Sequence, residues 1–294
     1  MSQRSKVRFS VPDGACDCHV HVFLDSAHYP LTPGRAYTPP EASVETLQGL
    51  HRDLGLSRTV IVQPSVYGSD NSATLEGIRQ LGMERARGVA VLDDRMGPAD
   101  LDRLAQAGVR GVRVNLEMMG EVDPGRSARL LKETAARVAP HGWHIQIFSN
   151  LALISALAPV LLDLRIPVVI DHFGGAKAAA GLDQAGFGQL LSLIRSGHVW
   201  IKLSAAYRCS TLVPDYPDMM PLARALIAAG PERTVWGSDW PHPNNAKEPG
   251  RGPTDIAPPL PIDDGRVLSL LADWADAETR RRILVDNPSR LYGF

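Results

Sequence analysis

The 294-residue sequence is poor in cysteine, with three in all, and two of them, Cys16 and Cys18, stand two apart on what reads as one strand. Alternate strand residues share a face but lie too far apart for an easy disulfide, so this pair is expected as free thiols, which suits a reducing cytoplasm. No apolar run approaches the roughly 18–20 residues of a membrane span. The opening MSQRSKVRFS lacks the apolar segment of a secretory signal. An excess of one charge is missing too. With 31 basic against 32 acidic residues the formal net charge is −1, which offers no footprint for nucleic acid or anionic lipid. No repeat, linker or low-complexity tract marks a second domain. Residues 1–294 are expected as one cytoplasmic domain with neither a membrane nor a nucleic-acid partner, and association into a homo-oligomer stays open.

What is present is an ordinary globular mix, 44% apolar and 21% charged, with ample material for a core. Short β-branched runs at residues 15–23, 59–65, 86–93, 111–116, 144–149, 167–172, 199–205 and 234–240 read as strands. Apolar residues spaced by three and four predict helices between them, at 43–54, 72–81, 98–107, 127–138, 151–162, 187–195 and 219–228, with a last pair at 265–273 and 277–285. Eight strand-then-helix units in about 250 residues have the size and count of a closed (β/α)8 TIM barrel. An open doubly wound sheet is the alternative, disfavoured because polar residues crowd so many strand ends and no Gly-rich phosphate loop follows the first strand. Two stretches break the rhythm. Residues 25–42 are expected to loop over the end of the first strand, and the proline-rich stretch 241–261 reads as a lid-like excursion after the eighth.

In such a barrel the C-terminal ends of the strands line the active site. DCHVH at 17–21 puts His19 and His21 on one strand face, where two imidazoles can hold a metal, bind an oxyanion or polarise a carbonyl. IDHFGG at 170–175 adds His172, and VWGSDWPHPN at 235–244 adds Asp239, a carboxylate able to ligate a metal or act as general base on water. Taken singly, each could be a polar residue satisfied by loop backbone; chance accounts less easily for all three together. Gln63, Asp93, Asp94, Asn115, Asp171, Lys202 and Ser204 also fall at strand ends. Arg113 in RGVRVN and Arg208 in SAAYRCS carry guanidinium forks suited to a carboxylate or another oxyanion.

These residues in this order resemble the amidohydrolase superfamily, most closely its branch of 2-pyrone-4,6-dicarboxylate lactonases and 4-sulfomuconolactone hydrolases. The resemblance runs from DCHVHVF through VQPSVYGSDN at 62–71, RGVRVN at 110–115, GWHIQIF at 142–148, VVIDHFGG and VWGSDWPHPN to the closing NPSRLYGF. It implies a carboxylic ester hydrolase that opens a small anionic lactone in aromatic-compound degradation. Asp239 would activate water, and His19, His21 and His172 would polarise the carbonyl and stabilise the oxyanion. Tyr37, Ser65, Arg113 and Asn244 match substrate-gripping positions, and Arg208 matches an arginine there in a looser stretch.

Two departures stand out. Met119 occupies the place of a second substrate-gripping arginine, and Phe148 replaces a tyrosine. The resemblance implies catalysis with no required cofactor, as in the pyrone lactonases, or with one Zn2+ on His19, His21 and Asp239, as in the sulfomuconolactone kind. The rival activities are a metal-dependent decarboxylase of the same superfamily and a sugar-acid lactone isomerase.

Overall fold

Eight short strands form one parallel sheet in sequence order: β1 (Cys16–Val20), β2 (Arg58–Val62), β3 (Ala86–Ala90), β4 (Val109–Asn115), β5 (His144–Phe148), β6 (Val168–Ile170), β7 (Val199–Ser204) and β8 (Thr234–Gly237). The computed structural model describes residues 4–246 and 249–294. The last strand meets the first, because the Asp239 amide donates to the His19 carbonyl at 2.9 Å and the His21 amide to the Trp240 carbonyl at 2.8 Å. Gly237 allows this approach, since a Cβ there would lie 2.6 Å from His19 Cβ and 2.8 Å from its amide nitrogen. The result is the expected (β/α)8 barrel, closed by the very segments that carry the candidate chemistry.

Helices α1 (Val44–Leu54), α2 (Ser72–Leu81), α3 (Pro98–Gln106) and α4 (Pro124–Val138) cover the outside of the first half of the barrel. Their starts follow local chemistry: Ser43 accepts the Thr46 amide, and Asp123 accepts those of Gly125 and Arg126 ahead of Pro124. The helix expected over 151–162 is two, α5 (Leu151–Ala156) and α6 (Ala158–Asp163), with Pro159 in the first turn of the second. Next come α7 (Phe187–Arg195) and α8 (Met219–Ala229). The closing pair also divides, into α9 (Asp264–Ser269), α10 (Leu271–Trp274), α11 (Ala277–Arg281), a π-helical stretch and α12 (Asn287–Tyr292).

Apolar residues sort into two layers. Leu47, Leu50, Ile78, Leu131, Leu190 and their neighbours fill the space between helices and sheet. Val60, Val62, Val89, Val169 and Val235 fill the barrel with Cys16 and Cys18, and Tyr292 joins them. The cysteines are buried and unbridged. Strict alternation would turn His19 away from the face that Cys16 and Cys18 share. Between Asp17 and Val20 the register against β2 shifts by one residue, and this bulge re-aims the strand. Asp17 faces His51 of α1 at 3.7 Å, whereas His19 and His21 both turn into the barrel mouth.

Residues 25–42 cross the mouth, pinned by bridges from Phe23 to Ala42 and from Thr38 to Ile256. No helix among the described residues is long and apolar enough to cross a membrane.

Candidate active site

Asp239 stands two residues beyond β8 in left-handed backbone, φ 64°. His172 (φ 50°) beyond β6 and Ala205 (φ 52°) beyond β7 share this conformation. Non-glycine residues in this region carry strain that the surrounding structure must hold, a feature concentrated at working sites. The strands therefore end earlier than their apolar runs do, and sharp turns deliver the side chains.

The two carboxylate oxygens of Asp239 face different company. Oδ2 accepts the Tyr207 hydroxyl at 2.5 Å and Arg208 Nε at 3.0 Å. Oδ1 lies 3.5 Å from His19 Nε2, 3.5 Å from His21 Nε2 and 3.9 Å from His172 Nε2. Burial opposes the charge of Asp239, but the Arg208 guanidinium beside it outweighs this and holds the group well below the usual carboxylate range. Burial pushes His172 down to about 4 and His19 well below its ordinary value, so both rings are neutral near pH 7.

The far side of each ring is anchored. His21 Nδ1 sits 2.7 Å from the Val62 carbonyl, which can only accept, so the ring proton is on Nδ1 and a lone pair on Nε2. His19 Nδ1 lies 3.3 Å from Asp171 Oδ1 and 3.4 Å from Lys202 Nζ. His19 Nε2 has no hydrogen-bond partner. The Nε2 atoms of two imidazoles and a carboxylate oxygen thus converge on one point. That donor set fits a divalent cation on His19, His21 and Asp239, a grouping whose ligand atoms all lie within 4.8 Å of one another. His172 Nδ1 pairs with the Ser204 hydroxyl at 2.8 Å.

Beneath the rings is a buried polar layer that sequence reading noted only as strand ends. Lys202 Nζ donates to Gln146 Oε1 at 2.7 Å and to the Cys18 carbonyl at 2.9 Å, and lies 3.5 Å from Asp171 Oδ1. Gln146 Nε2 donates to Asp171 Oδ2 at 3.0 Å. Burial works against ionisation of Asp171, yet His19 and the Lys202 ammonium hold it well below the ordinary range. Gln146 lies within GWHIQIF but was passed over, because its polar contacts come from the neighbouring strands rather than from its own. Tyr207 was missed because the turn that aims it begins at Ala205, which carries no turn signal.

A small cavity opens over Asp239, lined by His21, His172, Tyr37, Pro64, Ser65, Arg113, Asn115, Met118, Phe148, Arg208, Pro243 and Asn245. Tyr37, Ser65 and Arg113 are thus gathered with the histidines and Asp239. Asn245 lines the cavity, and Asn244 Oδ1 accepts the Ala246 amide at 3.1 Å. Arg208 lines it too, but its Nε is already committed to Asp239 rather than held for substrate. Met119 is exposed on the following loop, and His144 lies at the start of β5 against Tyr292, away from the mouth. Asp93 pairs with exposed Arg95, and Asp94 lines a neighbouring hollow.

The amidohydrolase family model matches residues 16–294. The 4-sulfomuconolactone hydrolase of Hydrogenophaga intermedia is 37% identical, covering 98% of this chain and 91% of its own. The 2-pyrone-4,6-dicarboxylate hydrolase of Comamonas testosteroni is 36% identical over 98% of this chain and 93% of its own. A solved structure from Pseudomonas putida, described as a candidate 2-pyrone-4,6-dicarboxylic acid hydrolase, superimposes with a TM-score of 0.79. It has 33% identity over 96% of this chain and 98% of its own.

Proposed function

The chain belongs to the amidohydrolase family, and from that premise we propose that it hydrolyses a small anionic lactone, of the pyrone-carboxylate or muconolactone kind, to an open-chain acid. One observation carries this reading. A buried carboxylate oxygen of Asp239 faces three imidazole nitrogens across a cavity whose wall presents the Arg113 guanidinium. The names of the two relatives point to the same reaction type.

Arg113 takes an anionic group of the substrate, and Tyr37 and Ser65 flank it. The lactone carbonyl lies against the imidazoles. A water beside Asp239 Oδ1 gives its proton to that oxygen while the water oxygen bonds to the carbonyl carbon. With Ser204 donating to His172 Nδ1, the Nε2–H of His172 points into the cavity and stabilises the developing oxyanion. Collapse of the tetrahedral adduct breaks the ring C–O bond, and the proton passes from Asp239 to the departing oxygen. The new carboxyl then ionises, so each turnover consumes one water and releases one proton. His19, His21 and Asp239 would hold one zinc, which when bound lowers the pKa of water and draws electron density from a carbonyl.

Asp239→Asn tests this reading. Turnover of a carboxylated lactone is expected to fall by roughly 100-fold or more, with an unchanged melting temperature; near-normal rates would remove Asp239 as the base. Release of carbon dioxide in place of a proton would identify a decarboxylase, and a product of unchanged mass an isomerase.

A further inference from the structure

The cavity over Asp239 has two guanidiniums on its wall, and they are not equivalent. Arg208 is spent: Nε donates to Asp239 Oδ2 at 3.0 Å, Nη2 to the Pro243 carbonyl at 3.2 Å and Nη1 to Asn245 Oδ1 at 3.4 Å. Arg113 is buried, with 8% of its surface exposed, yet donates one hydrogen bond, from Nη1 to the Gln63 carbonyl at 3.3 Å. Its Nε has no partner. The carboxylate beside it, Asp171, is 3.8 Å away and already shared among Gln146, Lys202 and His19. A guanidinium buried with most of its donors idle is costly unless a ligand completes it.

The rest of the wall carries no further cation among the described residues. Phe148 stands 5.8 Å from the Arg113 guanidinium carbon, and Met118, Pro64 and Pro243 extend the apolar side. Two more arginines, Arg35 and Arg137, line a separate hollow that shares Ser65, Arg113, Asn115 and Met118 with this cavity. Both are tied to neutral oxygens: Arg35 to Thr38 Oγ1 and the Thr32 carbonyl, Arg137 to the carbonyls of Asp93 and Met96.

The geometry points to a substrate with one anionic group, held by Arg113, whose remaining ring substituents are uncharged and lie against Phe148 and Met118. This rests on the lactonase reading and sharpens it. A second carboxylate, such as the dicarboxylate in the name of the Comamonas relative, would be desolvated here with no cation of its own among the described residues.

The test uses the purified protein and two matched pairs. One is 2-pyrone-6-carboxylate against 2-pyrone-4,6-dicarboxylate, followed by proton release. The other is benzoate against benzene-1,3-dicarboxylate, which cannot be hydrolysed, followed by calorimetry. In each pair the monoanion is expected to be favoured by roughly tenfold or more, in kcat/KM and in Kd. Met118→Arg, which adds a cation to the apolar side, is expected to narrow or invert both ratios. Equal or better use of the dianions overturns the inference while leaving lactone hydrolysis standing. Preference for benzoate without turnover of either pyrone, or of a muconolactone tried beside them, overturns the lactonase reading and leaves the charge assignment intact. Failure of benzoate to bind overturns the assignment of Arg113.

Discussion

Replacing Tyr207 by phenylalanine removes a single oxygen from the surroundings of Asp239. That oxygen donates to Oδ2 at 2.5 Å and, with Arg208 Nε at 3.0 Å, keeps Oδ2 turned away from the cavity so that Oδ1 alone faces the imidazoles. The ring itself stays packed, because its face meets the edge of His242 at 5.7 Å and His242 Nε2 is held 3.0 Å from Asp264. The loss is therefore confined to one charge-assisted hydrogen bond, worth roughly 1.5–3 kcal/mol to a charged partner. If that energy serves to aim the carboxylate, kcat falls by roughly 10- to 100-fold, since each 1.4 kcal/mol is about tenfold in rate. KM changes by less than about threefold, because the substrate grip at Arg113 is untouched. Steady-state proton release on a carboxylated lactone measures both constants, and a melting curve checks the fold. An unchanged kcat in a folded variant would show that the clamp on Oδ2 is irrelevant to the reaction. A rise in KM alone would show that Tyr207 touches substrate instead.

Gly237→Ala puts a methyl group 2.6–2.8 Å from His19, so a destabilisation of about 1–3 kcal/mol is expected in urea titrations, together with loss of turnover. A wild-type midpoint would mean that the seam can widen freely. Burial, with the Lys202 charge, pushes His144 down to about 3, below its unfolded value near 6.5. Between those values the unfolded chain binds the extra proton, so stability drops as the pH falls, by roughly 2 kcal/mol between pH 6.5 and 4.5. His144→Phe is expected to flatten that part of the stability profile, and an unchanged slope would assign it to other groups. Elemental analysis of the purified protein is expected to find one divalent cation per chain. Where a cation is found, its removal by chelation is expected to lower the melting temperature and His19→Ala to lose it, and the turnover left after chelation tells whether the reaction needs it. Full activity without metal would leave the imidazoles as bare polarising groups.

The barrel was legible because its signals are periodic. Each strand carries a short β-branched run, and the helices between them carry spacings of three and four that survive any detail of packing. The C-terminal part was less so. Pro288 lies beyond the last expected helix yet occupies the first turn of α12, where its missing N–H costs nothing. Within the site, His19, His21, His172 and Asp239 announce themselves as strand-end residues. The roles of Asp171 and Lys202 do not, because they depend on distances between neighbouring strands that no spacing along the chain encodes. The reason that both histidines face inward was hidden as well. Alternation suggests a shared face, but the bulge between Asp17 and Val20 is what gives the same strand two inward cysteines below and two inward histidines above.

The join between the first and last strands makes assembly and chemistry a single event. His19 and His21 come from the beginning of the barrel and Asp239 from its end, and the hydrogen bonds that close the ring run through these same residues. An opened barrel keeps its helices and most of its strand pairs while its base and its imidazoles part company. In a denaturant series, loss of turnover would report the parting of this seam ahead of the helical signal, a built-in gauge of ring closure.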